Sequence, residues 1–428
     1  MKSSEQFFKE NDFILASDID RQQLITAFLS EMEKGLAGQD SSLRMIPTYV
    51  GVDGNVPQGA KAVVLDAGGT NFRSALVSIP PQIEDKCVSP MPGTKGPVEV
   101  DEFYEAFAKE IRRLKDRSTA DKYGFCFSYN CDATETLDAK LNVWTKGIQA
   151  PGIVGQYIGK ELLGRLGGGK IAIINDTVAT LLAAKAMEGD KSYSSYVGFI
   201  LGTGTNSAYV EKNANIKKLP SLDQNASMII NSESGGFDKI SRSRFDIAMD
   251  AKQPDPGHNP FEKMIAGGYL GAVGLELLKS AAKDGFFSKG ASSQIAGLGS
   301  LETMDLDNFV AGRKKEGRTN VLDEIFSDAA DRSNAQKLAL PVFERAAVLT
   351  AVHLAAFVIK SGEGTDASQP VAINADGSTY YKTCAIEFDK AVKKELDEIL
   401  VKRRNINYVI VPQVPDAPMV GAAIAAML

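Results

Sequence analysis

Histidine, cysteine and tryptophan are scarce in this 428-residue chain, which has two, four and one of them respectively. Two histidines offer little basis for a Ser-His-Asp triad or a histidine-rich zinc site, so the chemistry is expected to fall to carboxylates. His353 lies in an apolar stretch and is expected to be structural. The cysteines form no Cys-x-x-Cys pair, which indicates free thiols in a reducing compartment.

An excess of positive charge is missing as well. The 48 basic and 54 acidic residues give a net charge of −6, which argues against nucleic acid or an anionic membrane as the main partner. The N-terminal segment has no apolar core of signal-peptide length, and no later run is expected to span a membrane. We therefore expect a cytoplasmic protein, long enough for two or three domains, with no nucleic-acid or membrane partner.

Residues 63–77 carry the most informative local pattern, two β-type runs around a glycine turn. Asp66 ends the first run, and the turn contains Gly68, Gly69, Thr70 and Asn71. Two glycines let a tight turn expose backbone N–H groups that can cradle phosphate oxygens. An adjacent aspartate suits Mg²⁺, which prefers oxygen ligands. A plain β-hairpin with a Gly-Gly tip fits the same residues, and this segment alone leaves both interpretations open.

The strand–turn–strand pattern recurs at residues 195–211, where the turn is Gly202-Thr203-Gly204-Thr205-Asn206. A third glycine turn, Asp376-Gly377-Ser378, follows a predicted strand at 371–374. A unit repeated within one chain predicts two similar domains, each presenting a phosphate-binding hairpin to a shared cleft. Three such turns suit the phosphates and nucleoside of ATP.

Polar residues that follow other predicted strands suit hydroxyl recognition and proton transfer. Asn175-Asp176-Thr177 ends the strand 171–174, at the sheet edge where open α/β folds place their chemistry, with helix capping as the alternative role. Glu233 follows the strand 228–231. Glu262 opens a helix, where a capping or dipole role is ordinary. Phosphoryl transfer needs an oriented nucleophile, and no enzyme residue has to form a covalent bond with the phosphoryl group. Asp176 could therefore serve as the general base for an attacking hydroxyl.

Hydrophobic periodicity predicts the remaining elements. The segment 80–97 is expected to be a loop or an irregular hairpin. The segment 141–147 contains the single tryptophan, and a surface hairpin whose Trp144 fills an apolar gap is the alternative to a functional role. Further helices are expected at 18–37, 101–117, 151–166, 178–187, 267–283, 334–361, 387–402 and 419–428, and further strands at 123–128 and 406–411.

The order of these motifs resembles that of the eukaryotic-type hexokinases, within the actin-like ATPase superfamily. The resemblance covers most of the chain. It rests on the first phosphate motif at 65–73, the sugar signature at 127–128 and 144–147, the catalytic segment at 175–177, the second phosphate motif at 202–206, two further sugar segments at 231–233 and 256–264, and the adenosine motif at 376–378.

The resemblance implies an α/β, two-lobed actin-like ATPase (ribonuclease H-like) fold with duplicated mixed sheets, flanking helices and a central cleft. Residues 61–175 are expected to form the small lobe, completed by the C-terminal helix 413–428. Residues 1–60 and 176–412 are expected to form the large lobe. The implied reaction is ATP-dependent phosphorylation of a hexose, with glucose as the expected sugar, at its 6-hydroxyl, and the lobes are expected to close on the sugar.

The resemblance also implies the role of each site residue. Asp176 is the general base, and Lys146 is the second catalytic residue. ATP and Mg²⁺ are the implied cofactors, with Asp66 holding the metal through water. The implied sugar-binding residues are Ser128, Thr145, Lys146, Asn175, Asp176, Asn206, Glu233, Asn259 and Glu262. The implied nucleotide-binding residues are Asp66, Gly68, Gly69, Thr70, Asn71, Arg73, Gly202, Thr203, Gly204, Asp376, Gly377 and Ser378.

The chain departs from the family pattern at three places. Asn130 stands where a proline is usual, Ser234 stands where an aromatic residue is usual, and residues 416–423 lack the family's Gly-Ser-Gly. These changes affect the sugar loop and the nucleotide side of the C-terminal helix. Two alternative functions stay open: a sugar-binding regulator with little turnover, and an ATPase or chaperone of the same superfamily that binds no sugar.

Overall fold

Two mixed β-sheets form the framework of the molecule, in a computed structural model that describes residues 2–54, 56–118, 120–187, 192–314, 317 and 319–428. The strands are β1 (Ile46–Pro47), β2 (Lys61–Ala67), β3 (Asn71–Ser78), β4 (Gln82–Pro90), β5 (Lys122–Phe127), β6 (Asn130–Ala133), β7 (Ala139–Val143), β8 (Lys170–Ile174), β9 (Ser195–Leu201), β10 (Thr205–Lys212), β11 (Ser227–Asn231), β12 (Val371–Asp376) and β13 (Tyr408–Ile410).

Helices flank both sheets. The α-helices are α1 (Ser4–Glu10), α2 (Arg21–Leu36), α3 (Val100–Lys115), α4 (Ile158–Leu166), α5 (Asp176–Ala186), α6 (Arg244–Asp250), α7 (Glu262–Ile265), α8 (Leu270–Lys283), α9 (Lys289–Gly297), α10 (Thr303–Val310), α11 (Val321–Ile325), α12 (Ala329–Ser361), α13 (Ser378–Lys382), α14 (Phe388–Leu396) and α15 (Ala417–Met427). Short 3₁₀ segments and a π-helical stretch, Asp397–Lys402, complete the helical structure.

The two sheets share one topology. The five-stranded sheet has the order β4-β3-β2-β5-β8, and the six-stranded sheet has β11-β10-β9-β12-β13 with β1 added beside β11. In each, an antiparallel three-strand meander is extended by two parallel strands. The duplicated mixed sheets that the family resemblance implies are therefore confirmed. The two glycine turns follow β2 and β9, the strands that join the meander of each sheet to its parallel strands.

Helices α5 and α15 occupy the layer between the sheets, and small residues let them approach closely. A Cβ added at Gly421 of α15 would collide with the carbonyl oxygen of Ala179 in α5. A Cβ added at Gly124 of β5 would collide with the carbonyl of Ala422. Their apolar cluster includes residues of both sheets, so this layer links one half of the molecule to the other.

Helix α12 is the main core helix of the larger half. Among the described residues it is the one helix long and apolar enough, by length and composition, to cross a membrane, so the expectation that no such run exists was wrong. However, 89% of its most apolar stretch is buried inside the structure. Burial against other helices is typical of a core helix and accounts for this composition.

Three predictions about secondary structure need correction. Residues 82–90 form strand β4 rather than a loop or an irregular hairpin. Its exposed, charged sequence does not show the alternation typical of a strand, because β4 lies at the edge of the sheet beside β3. The helix expected from residue 151 begins at Ile158, because Pro151, Gly152 and Gly155 support only a 3₁₀ turn. Helix α1 was not predicted. The proposed lobe boundaries stay a prediction, although α15 does pack on β2, β5 and β8 as they require.

Candidate active site

A carboxylate–guanidinium pair on β2 and β3 fixes the turn that joins these two strands. Asp66 and Arg73 are cross-strand partners, and Arg73 Nε donates to Asp66 Oδ2 at 2.8 Å. Arg73 Nη1 also donates to Asp416 at 2.9 Å, and Lys86 donates to both oxygens of Asp416. Burial raises the pKa of Asp66, and Arg73 opposes this shift. The turn above this pair presents Gly69 with open space around its Cα.

Lys146 connects this turn to the sugar loop. Its Nζ donates to the carbonyl oxygens of Gly68 at 2.6 Å and Ser128 at 3.0 Å, and lies 5.2 Å from the ring centre of Tyr129. A Cβ at Gly68 would lie 3.3 Å from Ser128 Oγ, so the two segments are in contact. Trp144 packs edge-on against Phe127 and Tyr129 and donates to a backbone carbonyl, so its indole fills an apolar gap as the structural alternative predicts.

Asn175 and Asp176 lie where β8 meets α5. Asn175 caps the helix, since its Oδ1 accepts from Thr177 N at 2.9 Å. Asp176 Oδ1 accepts from the same N–H at 2.8 Å. The N-cap is therefore Asn175, rather than Asp176 or Thr177 as the capping alternative had it. Within the described part of the chain, Asp176 Oδ2 accepts no hydrogen bond from a protein group.

On the other sheet, a chain of side-chain amides leads to Glu233. Asn206 Nδ2 donates to Asn231 Oδ1 at 2.7 Å, and Asn231 Nδ2 donates to Glu233 Oε1 at 2.8 Å. Asn206 Oδ1 accepts from Ser234 N at 3.2 Å. Burial raises the pKa of Glu233, against the lowering effect of Asn231. Glu233 has a left-handed backbone at φ 55°, which turns its side chain out of the strand direction.

Glu262 is held beside the second phosphate turn. Its Oε2 accepts from Thr205 N at 2.9 Å, and its Oε1 accepts from Tyr269 Oη at 3.2 Å. A Cβ added at Gly204 would lie 2.6 Å from Glu262 Oε2, so glycine is needed for this approach. Burial raises the pKa of Glu262, and the nearby charge of Glu233 raises it further. The two glutamates therefore share one region.

The turns at 202–204 and 376–378 meet at the ends of two adjacent parallel strands, β9 and β12. A Cβ on Gly202 would lie 3.8 Å from Gly377 Cα and 3.9 Å from Ser378 N. Gly202 O accepts from Gly267 N and from Thr379 Oγ1, both at 2.8 Å. Asp376 Oδ1 accepts from Gly377 N at 2.8 Å and fixes the third turn. These turns form one continuous glycine-lined surface.

Electrostatic interactions join the two halves of the site. Asp176 raises the pKa of Asp66 on its own sheet and the pKa of Glu233 on the other sheet. Lys146, which follows the two-stranded sheet β6–β7, lowers the pKa of Glu233. The charges of Asp176 and Lys146 therefore act on a carboxylate of the six-stranded sheet, and that of Asp176 acts on both sheets.

Six other predicted residues make no long-range side-chain hydrogen bond in the described structure. They are exposed and lie in turns or loops, or at the first position of a strand or helix: Thr70, Asn71, Thr145, Thr203, Asn259 and Ser378. Asn259 has a left-handed backbone at φ 47°, and Asn71 Nδ2 lies 3.5 Å from Thr70 Oγ1. Exposed hydroxyls and amides on turns around a cleft are suited to contact a ligand rather than to hold the fold.

Several residues that build the site were not predicted from the sequence. Asn231 bridges Asn206 to Glu233, and Tyr269 donates a hydrogen bond to Glu262. Lys263 fixes the segment that precedes Glu262 through hydrogen bonds to Asp250 and Asp255. Asn231 lies in the segment 231–233 on which the family resemblance rests, so a signal for it was available. The sequence offers no signal for the hydrogen-bond partners of Tyr269 and Lys263, because these can be identified only once the chain is folded.

A cluster typical of a transition-metal site is absent from the described residues: no group of three or more His, Cys, Asp or Glu side chains could hold a metal ion there. All four cysteines are free thiols. Burial lowers the pKa of His353 to about 3, and its Nε2 lies 3.1 Å from Ser207 Oγ among phenylalanine rings. The expected structural role of His353 fits these contacts.

Comparison with known proteins identifies the family. A hexokinase family model matches residues 196–428, more than half of the chain, and a second hexokinase model matches residues 11–186. The chain belongs to the hexokinase family. The segments of this hexokinase on which the resemblance rests lie inside the matched ranges: 65–73, 127–128, 144–147, 175–177, 202–206, 231–233, 256–264 and 376–378.

Individual relatives agree with this assignment. Hexokinase-1 of Schizosaccharomyces pombe is 27% identical over 452 aligned positions, which cover 98% of this chain and 89% of the relative. Hexokinase-5 of Oryza sativa subsp. japonica is 35% identical over 289 positions, 60% of this chain and 55% of the relative. The structure of Schistosoma mansoni hexokinase complexed with glucose superposes with a TM-score of 0.76 at 24% identity, covering 100% of both chains, which shows the same fold.

Replacement of Gly377 by alanine is expected to raise the KM for ATP at least tenfold and to leave sugar affinity unchanged. Gly377 has φ 113°, and an added Cβ would collide with the carbonyl oxygen of Leu201 and lie 2.8 Å from Gly202 N. Such a backbone costs a side chain about 1–3 kcal/mol, so the turn must shift. Gly290→Ala, which meets no atom within 4 Å, is the control. An unchanged KM for ATP in Gly377→Ala would exclude this turn from the nucleotide site.

Proposed function

We propose that this hexokinase transfers the γ-phosphoryl group of ATP to the 6-hydroxyl of a hexose, with Asp176 as the general base. The observation that carries the proposal is the position of Asp176. It begins helix α5 two residues after Ile174 of β8, and Ile174 is in register with Asp66 of β2 through Cys126 of β5. Its charge raises the pKa of Asp66 and the pKa of Glu233. A base for hydroxyl attack on a phosphoryl group must lie close to both the phosphate groups and the sugar groups.

The polar groups of the second sheet are proposed to bind the sugar. Glu233 and Glu262 are partly buried carboxylates with raised pKa values, and Asn206 adds an amide beside them. Sugar hydroxyls are donors that favour the ionised form of a carboxylate, so binding would relieve part of the cost of burying these charges. Asn259, from the same segment as Glu262, and Ser128, Thr145 and Asn175, from the opposite side of the cleft, are proposed to complete the hydroxyl contacts.

The proton transfer follows from the local bonds of Asp176. Its Oδ1 is fixed by Thr177 N, so Oδ2 is the atom proposed to accept the proton of the 6-hydroxyl. The sugar oxygen then forms the new bond to the γ-phosphorus, the bond to the β–γ bridging oxygen breaks, and ADP leaves. The charge of Lys146, held by two carbonyl oxygens at the turn, is proposed to stabilise the transferring group.

The residues around the first turn fit a magnesium-bound nucleotide. Mg²⁺ is commonly held by one or two carboxylates together with substrate phosphates and water, and Asp66 is a single carboxylate beside open glycine backbone. Bound Mg²⁺ would neutralise charge on the β- and γ-phosphates. Asp66 is proposed to hold the ion through water. Thr70, Arg73 and Thr203 are proposed to contact phosphates, and Gly377 and Ser378 to border the adenosine.

We further propose that the lobes, residues 61–175 with 413–428 and the rest of the chain, close on the sugar. The sugar groups come from both sheets, so one bound hexose would draw the two sides together and exclude water from the reactive phosphate. A cytoplasmic location is proposed as well, and the four free thiols support it.

The test is coupled ADP release with MgATP and a panel of glucose, mannose, fructose, glucosamine and N-acetylglucosamine. We expect strong release with one or more free hexoses, and quenching of Trp144 fluorescence by the same sugars. Quenching without ADP release would support the sensor alternative and contradict the proposal. ADP release of equal rate with and without sugar would support an ATPase instead.

A further inference from the structure

Arg44 makes a contact between the two halves of the molecule at the sugar side of the cleft. Its Nη1 donates to Asn130 Oδ1 at 3.1 Å, and its Nη2 lies 3.2 Å from Asp132 Oδ1. Arg44 precedes β1 of the six-stranded sheet. Asn130 and Asp132 belong to β6, which begins two residues after the sugar-loop residue Ser128. The guanidinium therefore links the sheet of Glu233 to the loop of the opposite sheet.

Each end of this link is held in place by its own surroundings. Lys218 Nζ donates to the carbonyl oxygens of Arg44 at 3.0 Å and Met45 at 2.6 Å, which fixes the backbone under the arginine. On the other side, Asn142 Nδ2 of β7 donates to Asn130 Oδ1 at 3.2 Å, which orients the amide toward Arg44. A preorganised guanidinium loses less side-chain entropy for each bond that it makes.

The charge of Arg44 also reaches the sugar site. It lowers the pKa of Glu233, whose burial raises it, so the guanidinium lies close enough to favour the ionised carboxylate. The acidic partner Asp132 is 58% exposed and Arg44 is 41% exposed. Exposed pairs contribute modestly, so the expected effect of Arg44 on sugar affinity is a few-fold change.

We propose that Arg44 is a positioning residue for sugar binding. It bridges the two lobes through Asn130 and Asp132 and stabilises a cleft conformation close to the one that binds a hexose. The inference rests on the proposed function. It also gives a role to Asn130, which stands where related hexokinases have a proline: its side-chain oxygen is an acceptor that proline lacks. An arrangement stabilised before the sugar arrives lowers the free-energy cost of closure upon binding.

The test is a double-mutant cycle on the sugar KM with Arg44→Ala, Asp132→Ala and the double variant. We expect Arg44→Ala to raise the sugar KM two- to fivefold, with kcat and the KM for ATP unchanged. We expect the double variant to be no worse than Arg44→Ala, because the two side chains act through one contact. Because salt screens exposed pairs, 0.5 M NaCl should raise the wild-type sugar KM and leave that of Arg44→Ala almost unchanged.

Arg244→Ala is the matched control, since it removes one positive charge from an exposed pair with Asp12 on the same half of the molecule. It should leave the sugar KM unchanged. If the unmutated enzyme turns over sugar, either of two results would overturn the inference. One is an unchanged sugar KM in Arg44→Ala, and the other is a double variant whose change in sugar KM is the product of the two single changes. A wild-type protein without sugar-dependent turnover would instead refute the proposed function itself.

Discussion

Replacement of Asp176 by asparagine is expected to lower kcat by about 10²–10⁴-fold, the range that a positioned general base contributes. Asparagine keeps the shape of the side chain and an oxygen that can accept from Thr177 N, so helix α5 should begin as before. It cannot accept a proton at the position of Oδ2. Sugar affinity, measured by quenching of Trp144, should stay within a few-fold of wild type. The measurement is kcat with saturating MgATP and hexose.

A matched control separates this loss from a general effect of removing an acidic group. Asp116→Asn changes an exposed aspartate at the C-terminal end of α3 and should leave kcat unchanged. Near wild-type turnover in Asp176→Asn would remove the base from the mechanism. A loss of sugar binding as large as the loss of kcat would show that Asp176 acts mainly as a sugar ligand.

Replacement of Lys263 by methionine is expected to lower the free energy of unfolding by about 3–5 kcal/mol, the range for breaking a buried ion pair. Lys263 is 2% exposed, and its Nζ donates to Asp250 Oδ1 at 2.7 Å and to Asp255 O at 2.8 Å. Burial raises the pKa of Asp250, but Lys263, the N–H of Gly257 and Arg242 together bring it below its ordinary value. Without the lysine, a buried carboxylate loses its main partner.

The same substitution should also affect the sugar site. Lys263 and Asp250 anchor residues 255–262, the segment that carries Asn259 and Glu262. We therefore expect a sugar KM at least tenfold higher than in wild type at a temperature where Lys263→Met is still folded, with a smaller change in the KM for ATP. Lys402→Met, which removes a 68% exposed lysine from a pair with Glu398, is the control for both measurements. Unfolding by urea with an unchanged midpoint in Lys263→Met would contradict the structural part of this account.

Local chemistry explains why the framework of the site could be predicted from the sequence. A Gly-Gly turn between two apolar β runs has few alternatives, and both hairpins formed as expected. Asn175-Asp176 follows a buried strand directly, so its place at the sheet edge followed from the strand itself. In each case the residues that determine the structure are neighbours in the chain.

Long-range pairing explains what the sequence did not predict. Arg73 and Asp416 are 343 residues apart, and Arg44 and Asn130 are 86 residues apart, so no local pattern connects them. Strand β4 is an exposed edge strand with charged residues, and its pairing with β3 outweighs its weak intrinsic preference for β structure. Asn175 also shows that a segment predicted to be functional can supply the cap of the helix that follows.

The most direct test of the central claim is ³¹P nuclear magnetic resonance of the reaction of glucose with MgATP, for wild type and for Asp176→Asn. The account predicts a phosphomonoester resonance split by the two protons on carbon 6, together with ADP, in the wild type and its near absence in the variant. A resonance of inorganic phosphate alone would contradict sugar phosphorylation. An ester at another carbon would contradict the proposed orientation of the 6-hydroxyl toward Asp176.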